Sequence, residues 1–391
     1  MKYRFSKNTD IKPSATVALN SMVADLKRSG KQIYNLGIGE AQVAPHSQIV
    51  TAVENAIETG KTLYPPVKGY PELLDLACVW HQENYESNYT RENTIITPGG
   101  KAAISMALQS FLDPGDEVII FSPHWVSYPE MVKLCGAKPV IIKTDPKSNW
   151  SIDFDSLEAK TTNKAKMLII NNCANPTGKI YSPAELLKIA EHAKKHDLIV
   201  ISDEVYSSLT YSDSEYLSLS SFDDIRERLI IIQSFSKHFA LTGLRVGIAF
   251  ADPLVIKRME LIQNQSTSGT ASLSQFAAIA ALKNAKTIQD TIRQTLLDRM
   301  NLLVSLLNKA FDANISKAEG GLYLFVPVKT FTNKELSDLQ FCEFALNAAN
   351  VALVAGSAFG QENYVRLSFG VSEFEIESAV NSLATAIKKH E

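Results

Sequence analysis

"QSFSKHFALTGLRVG", residues 233–247, sets two hydroxyls, an amine and a guanidinium close together: Ser234, Ser236, Lys237 and, eight residues after the lysine, Arg245. The stretch follows "LIII", a run that reads as a strand buried on both faces. A lysine there, bracketed by serines and an arginine, is placed to bond an aldehyde while its neighbours hold an anion. Groups with chemistry follow four other apolar runs. Gly99, Gly100 and Lys101 follow "NTIITP" and open a helical "AAISMALQSF", so that bare N–H groups and the helix dipole can receive an anion. Trp125 follows "DEVIIF", Asn175 follows "KMLII", and Asp203, Glu204 and Tyr206 follow "LIVIS".

Taken singly, each group has an ordinary explanation. A strand-end aspartate usually caps or turns the chain, and a lone tryptophan usually packs in a core. Asn-Pro-Thr-Gly is a turn, Gly-Gly before a helix a tight bend, and a single lysine a solvated charge. Their coincidence is what carries weight. Five strands bring an anion cradle, an aromatic ring, an amide, a carboxylate with a phenol, and an amine to one edge of one sheet. Open α/β sheets bind ligands at that edge. The parts suit a phosphorylated, electron-poor aromatic aldehyde, pyridoxal 5'-phosphate. That cofactor needs a lysine for its Schiff base and a carboxylate to keep its ring nitrogen protonated. It also needs donors for its phenolate oxygen, a flat ring for stacking, and serine, arginine and backbone donors for its phosphate.

The elements that must position these groups are legible as well. Short, continuous β-branched runs ("NTIITPG", "DEVIIFS", "KPVIIK", "KMLIINN", "LIVISDE", "LIIIQSFS", "RVGIAFA") alternate with helical patterns from about Asn93 to Ala251. This predicts an α/β class chain with a doubly wound, mostly parallel sheet. The clearest helix is "SPAELLKIAEHAKKHD", with Ser182 as cap, Pro183 in the first turn, Glu185 closing a capping box, and Leu186, Leu187, Ala190 and Ala193 as its apolar stripe. The last third reads differently: a long helix from about Ala285 to Phe311, strands in "GGLYLFVPV" and "YVRLSFG", and a closing helix. The predicted division is a large domain over 48–285 and a smaller α+β domain built from 1–47 and 286–391.

A length of 391 residues is enough for two such units, and 45% hydrophobic with 21% charged residues is ordinary for a soluble globular chain. A formal net charge of −3 gives no reason to expect a nucleic-acid or membrane partner. The four cysteines form no CxxC pair, so neither a metal site nor a disulfide framework is expected, and a reducing cytoplasm suits them. No signal peptide and no membrane span are expected.

The sequence resembles the class I aminotransferases of fold type I, and within them the bacterial aspartate/prephenate aminotransferase subgroup. The resemblance runs from "KPSATVALN" through "GKTLYPPVKGYPELL", "TPGGKAAI", "WVSYPEMV", "NPTGKIYS", "SDEVY" and "SFSKHFALTGLRVG" to "NYVRLSF". It implies that Lys237 forms the Schiff base, that Ser234, Ser236 and Arg245 hold the phosphate, and that Asp203 pairs with the ring nitrogen. Tyr206 and Asn175 would bond the phenolate and Trp125 would stack on the ring. Gly100 and Lys101 would lie by the phosphate and the substrate mouth, and Gly39 would meet the substrate through its backbone. Arg366 would clamp the substrate α-carboxylate. Tyr64 would reach the cofactor of a second subunit, which implies a homodimer with shared sites. For a distal carboxylate the resemblance offers Lys12, Thr16 and Lys101. "YVRLSF" agrees on its own terms, since Val365, Leu367 and Phe369 alternate with Arg366 and Ser368, leaving the guanidinium on the face away from the core.

Three stretches depart from the family pattern: "GEAQVAP" starting at Gly39, His124 before the tryptophan, and "NNCA" up to Asn175. The first two are expected near the substrate mouth, so they bear on substrate more than on reaction. The reading is ping-pong transamination between an L-amino acid, aspartate or glutamate first, and a 2-oxo acid. Aromatic or prephenate-like substrates and β-elimination from cysteine conjugates stay open on the same scaffold. A regulator carrying an aminotransferase-like domain and a DNA-binding module is not expected, and a nucleotide-binding protein would need a glycine fingerprint that does not appear.

Overall fold

The computed structural model describes residues 3, 5–212 and 216–390. Its main sheet has eight strands, in the spatial order Thr94–Thr97, Gly247–Phe250, Leu229–Ser234, Ile199–Asp203, Ala165–Asn171, Glu117–Ser122, Lys138–Asp145 and Ser151–Ile152. The five consecutive members from Leu229–Ser234 to Lys138–Asp145 are parallel. Gly247–Phe250 is antiparallel to both of its neighbours. Thr94–Thr97 therefore runs with the parallel set, and its end lies at the same edge as theirs. Arg245 reaches that edge from the other direction, because it precedes the strand that runs back.

The apolar runs are continuous because both faces of the sheet are covered. Ile119, Leu168, Val200 and Ile231 enter one buried cluster, while Val118, Ile120, Met167, Ile169, Ile201, Ile230 and Ile232 enter a second. Period-2 alternation thus sorts apolar side chains between two cores instead of between core and water. The helix Pro183–Lys195 starts with the predicted box: Glu185 N–H donates to Ser182 Oγ at 3.3 Å, and Ser182 N–H donates to Glu185 Oε2 at 2.9 Å. Its stripe is corrected in one place. Leu187 is 47% exposed and Ile189 is buried, because a helical turn of about 100° per residue puts 186, 189, 190 and 193 together and rotates 187 away.

One small sheet joins the chain's ends, and a second forms within the C-terminal part. Tyr34–Asn35 pairs in parallel with Val351–Ala352, and Tyr323–Pro327, Tyr364–Ser368 and Val354–Ala355 form an antiparallel three-stranded sheet. The helix Glu373–His390 packs on the two-stranded sheet, and the helix Ala285–Phe311 packs against that helix. On this distribution of strands we propose the division into 48–285 and 1–47 with 286–391. The largest apolar cluster, however, runs without a break from Leu73 and Leu168 to Leu324 and Leu383. Among the described residues, no helix is long and apolar enough to cross a membrane.

Candidate active site

A cavity of about 360 Å³ opens at the sheet edge where the parallel strands end. Thirteen of the predicted site residues line it: Thr16, Gly39, Gly100, Lys101, Trp125, Asn175, Asp203, Tyr206, Ser234, Ser236, Lys237, Arg245 and Arg366. Lys12 and Tyr64 do not. Lys12 is exposed, and its backbone N–H donates to Glu130 Oε2 at 2.9 Å. Tyr64 is 90% exposed.

The amine sits on one helical turn, Phe235–His238, whose cap is Ser234 at the end of its strand; Ser236 N–H donates to Ser234 Oγ at 3.3 Å. Lys237 Nζ donates to the carbonyl of Gly39, across from the small sheets. Burial is the main cause that draws the Lys237 amine below the usual lysine range, and the guanidinium groups of Arg366 and Arg245 act in the same sense.

Asp203 ends its strand and is 4% exposed. Tyr128 donates its hydroxyl to Asp203 Oδ2, while Oδ1 is buried with no hydrogen-bond partner. Burial raises its carboxyl to about 6, against the Tyr128 bond and the Lys237 charge. Beside it Tyr206 and Tyr323 place their hydroxyls 3.2 Å apart. Burial lifts Tyr206 well above the usual phenol range. Burial also raises Tyr323, but Arg366, Lys237 and the Tyr206 bond together outweigh it and hold that phenol below the ordinary value.

Arg366 is the second charge without a counter-charge. It is 1% exposed, and its guanidinium carbon lies 4.0 Å from the Tyr323 ring centroid and 4.9 Å from that of Phe359. Nη1 donates to Asn175 Oδ1 at 3.1 Å and Nη2 to Gly37 O at 3.0 Å, while Nε has no partner. No ion pair is formed by Arg366 among the described residues. A buried guanidinium held only by neutral oxygens and ring faces is costly alone and is prepared for a carboxylate.

The anion end is built by close approach. Arg245, at φ +54°, donates from Nη1 to Thr242 O at 2.8 Å and to Ser236 Oγ at 3.4 Å. A Cβ on Gly99 would lie 2.5 Å from Arg245 Nη2, and one on Gly247 would lie 2.6 Å from the N of Gly100. Glycine at both positions is what lets the guanidinium and the first turn of the helix Gly100–Phe111 meet. Lys101 Nζ stands 4.8 Å from the Trp125 ring centroid, and that ring meets Tyr128 edge-on at 5.3 Å.

A family model described as aminotransferase class I and II matches residues 31–383. The chain belongs to the class I and II aminotransferases. It is 37% identical over 381 residues to a probable aspartate/prephenate aminotransferase of Rickettsia bellii, covering 94% of this chain and 95% of that protein. It is 33% identical to an aspartate aminotransferase of Bacillus subtilis, covering 97% of each. The solved aspartate aminotransferase of Thermus thermophilus with maleate superposes with a TM-score of 0.93 at 32% identity, covering 98% of this chain and all of that one. The aminotransferase fold expected from the sequence is thus the one observed.

The family is pyridoxal-phosphate-dependent, and the residues of this aminotransferase fit that cofactor. Asp203 Oδ1 is an orphaned buried acceptor, Arg245 and the opened helix turn offer donors to an anion, and Trp125 offers a ring face. Three groups at the site escaped the sequence reading. Tyr128, three residues after Trp125, orients Asp203. Tyr323 underlies Arg366. Glu40 lines the cavity and accepts from Thr242 Oγ1 at 2.6 Å. Tyr128 had a signal in the three-residue spacing of "WVSYPE", and Glu40 in its place next to Gly39 within "GEAQVAP", whereas Tyr323 depends on long-range packing.

Of the two departing segments expected near the mouth, one reaches the cavity itself. His124 and residues 41–43 do not line the cavity; Glu40 does. His124 Nδ1 lies 3.1 Å from Trp125 O and its backbone N–H donates to Phe359 O, while Gln42 N–H donates to Gly370 O and Ala41 is buried. Those contacts fix both segments to the frame behind the site. In "NNCA", Asn171 accepts from Asn175 N–H at 2.8 Å and donates to Asp203 O at 2.8 Å, tying the amide to the carboxylate strand.

Proposed function

We propose that the protein moves an amino group between an L-amino acid, with aspartate or glutamate preferred, and a 2-oxo acid by a ping-pong mechanism that uses pyridoxal 5'-phosphate. The observation that carries it is the opposition, in one cavity, of a buried guanidinium without a counter-ion, an amine with a lowered pKa and a carboxylate with one orphaned oxygen. Ser234, Ser236, Arg245 and the Gly100 N–H would hold the phosphate, Asp203 the ring nitrogen, and Tyr206 with Asn175 the phenolate oxygen. When bound, the cofactor supplies an aldehyde that accepts the amine and a cationic ring that accepts electrons from the substrate α-carbon. Arg366 receives the α-carboxylate as a fork and fixes the α-carbon's orientation. Lys237 Nζ takes and returns the α-proton, a role that its lowered pKa favours. Asp203, as the anion, keeps the ring nitrogen protonated.

Substrate choice rests on the far end of the cavity. Its lining has four cationic side chains, and Lys237, Arg245 and Arg366 have roles already, which leaves Lys101; Ser14 and Thr16 add hydroxyls to the same lining. A mobile ammonium supports a distal carboxylate with only modest discrimination, so activity on aromatic or prephenate-like substrates is the second reading. A panel of amino donors and 2-oxo acids against the holoenzyme tests the whole proposal; no transamination with any of them sinks it. Lys101→Ala and Lys12→Ala refine it. Loss of aspartate activity of about tenfold, with a neutral amino acid spared, fits a role in reading the distal carboxylate. Equal losses on both substrates place that recognition elsewhere.

The exposed Tyr64 supports a homodimer in which each subunit completes its partner's site. Mixing Lys237→Ala with Tyr64→Phe subunits should then restore activity, because one site of the mixed dimer carries neither change. No recovery despite demonstrated subunit exchange counts against sharing.

A further inference from the structure

Away from the cavity, three side chains converge. Glu158 lies on the helix Phe154–Lys160, His192 lies on the helix Pro183–Lys195, and His196 caps the latter. The histidines are four residues apart and so share one helix face. Glu158 Oε2 is 2.9 Å from His196 Nε2 and 3.4 Å from His192 Nδ1, and the three donor atoms all fall within 4.8 Å of one another. A tetrahedral ion with bonds of about 2.0–2.1 Å has ligand–ligand edges of about 3.3 Å. The two spacings at Glu158 bracket that edge.

Thr161 Oγ1 lies 2.7 Å from Leu157 O, which only accepts, so the hydroxyl's single proton goes there. The same oxygen lies 2.9 Å from His192 Nε2 and therefore accepts from it. The Nε2–H bond fixes the tautomer, so the neutral ring presents the Nδ1 lone pair towards Glu158 Oε2. Two acceptors then face each other with no proton between them. Proteins orient a metal-ligating imidazole in this way, through its other nitrogen. Lys195 Nζ pairs with the other carboxylate oxygen, Oε1, at 2.6 Å and leaves Oε2 to the imidazoles. His192 is buried, while Glu158 is exposed and His196 partly so, which leaves access for an ion and for water.

We propose that Glu158, His192 and His196 bind one divalent transition-metal ion of the zinc class, with water completing its shell, and that the ion ties the helix Phe154–Lys160 to the end of the helix Pro183–Lys195. Two imidazoles and a carboxylate select such ions over magnesium or calcium. None of the three residues lines the cavity, so the site stands independently of the transaminase reading.

The test uses chelator-dialysed holoenzyme titrated with Co²⁺ and then Zn²⁺. Expected are d–d bands at wavelengths beyond the cofactor's absorption, saturation at one equivalent per chain, displacement by Zn²⁺ but not by Mg²⁺, and a higher Tm with Zn²⁺. His196→Ala and Glu158→Gln change accessible side chains and avoid the buried His192. They should weaken binding about 10–100-fold while leaving transamination within a few-fold of wild type. Absence of saturable binding overturns the proposal, as does equal binding in both variants, which would place the metal on the cysteines or in the cavity.

Discussion

Lys237→Ala should reduce transamination by roughly 10⁴-fold or more, because the variant loses both the amine that bonds the aldehyde and the base that moves the α-proton. The fold should survive. Lys237 hydrogen-bonds a backbone carbonyl across the cavity, and removing a partly buried ammonium removes a desolvation cost along with that bond. Cofactor should still bind more weakly through Arg245, the serines and the helix turn. Borohydride treatment followed by mass mapping decides the assignment. Wild-type protein should carry a fixed cofactor on the peptide containing Lys237, and the variant none. A variant that turns over normally, or that still fixes cofactor covalently, removes Lys237 from its role.

Asp203→Asn should cost several kcal/mol in activation free energy, since an amide offers no negative charge to keep a ring nitrogen protonated. The same substitution should stabilise the cofactor-free protein. The Asp203 carboxyl is raised by burial to about 6 in the fold, from an ordinary value near 3.8. Between those values the native state holds a proton that the unfolded chain has released. Stability therefore falls as pH rises through that window, and above pH 6 the full penalty applies, on the order of 3 kcal/mol. Wild type and variant should thus have similar denaturation midpoints near pH 4, and the variant should pull ahead by pH 7. Glu204, pushed by burial to about 7, titrates in both proteins and cancels in the difference. A pH-independent difference would mean that Asp203 is not an uncompensated buried carboxylate. Near-normal catalysis by the variant would remove it from the ring nitrogen.

Both predictions describe a site that is destabilising by itself. Asp203 Oδ1 and Arg366 Nε are buried without partners, the Lys237 amine is partly buried on a backbone carbonyl, and a ligand with a phosphate, a cationic ring and a carboxylate supplies what they lack. Ligand binding to the native state alone then adds stability by mass action.

Much of this was legible in the sequence for local reasons. Continuous β-branched runs had to be two-faced strands, and parallel strands have to end at one edge, so Gly100, Trp125, Asn175, Asp203 and Lys237 were bound to meet. The Ser182 capping box needed only neighbours three residues apart. What only the tertiary structure decided involves contacts across hundreds of residues. The strand carrying Arg366 packs over Tyr323 and reaches Asn175, and a guanidinium that alternation alone reads as turned outward is buried as a result. Gly39 presents its carbonyl to Lys237 because the N-terminal segment folds against the C-terminal strands. His124 and residues 41–43, near the site in sequence, are held behind it by Phe359 and Gly370. Periodicity reports which face of an element is apolar; it does not report what a third element lays over the polar face, and the pKa values and hydrogen bonds of this site depend on that covering.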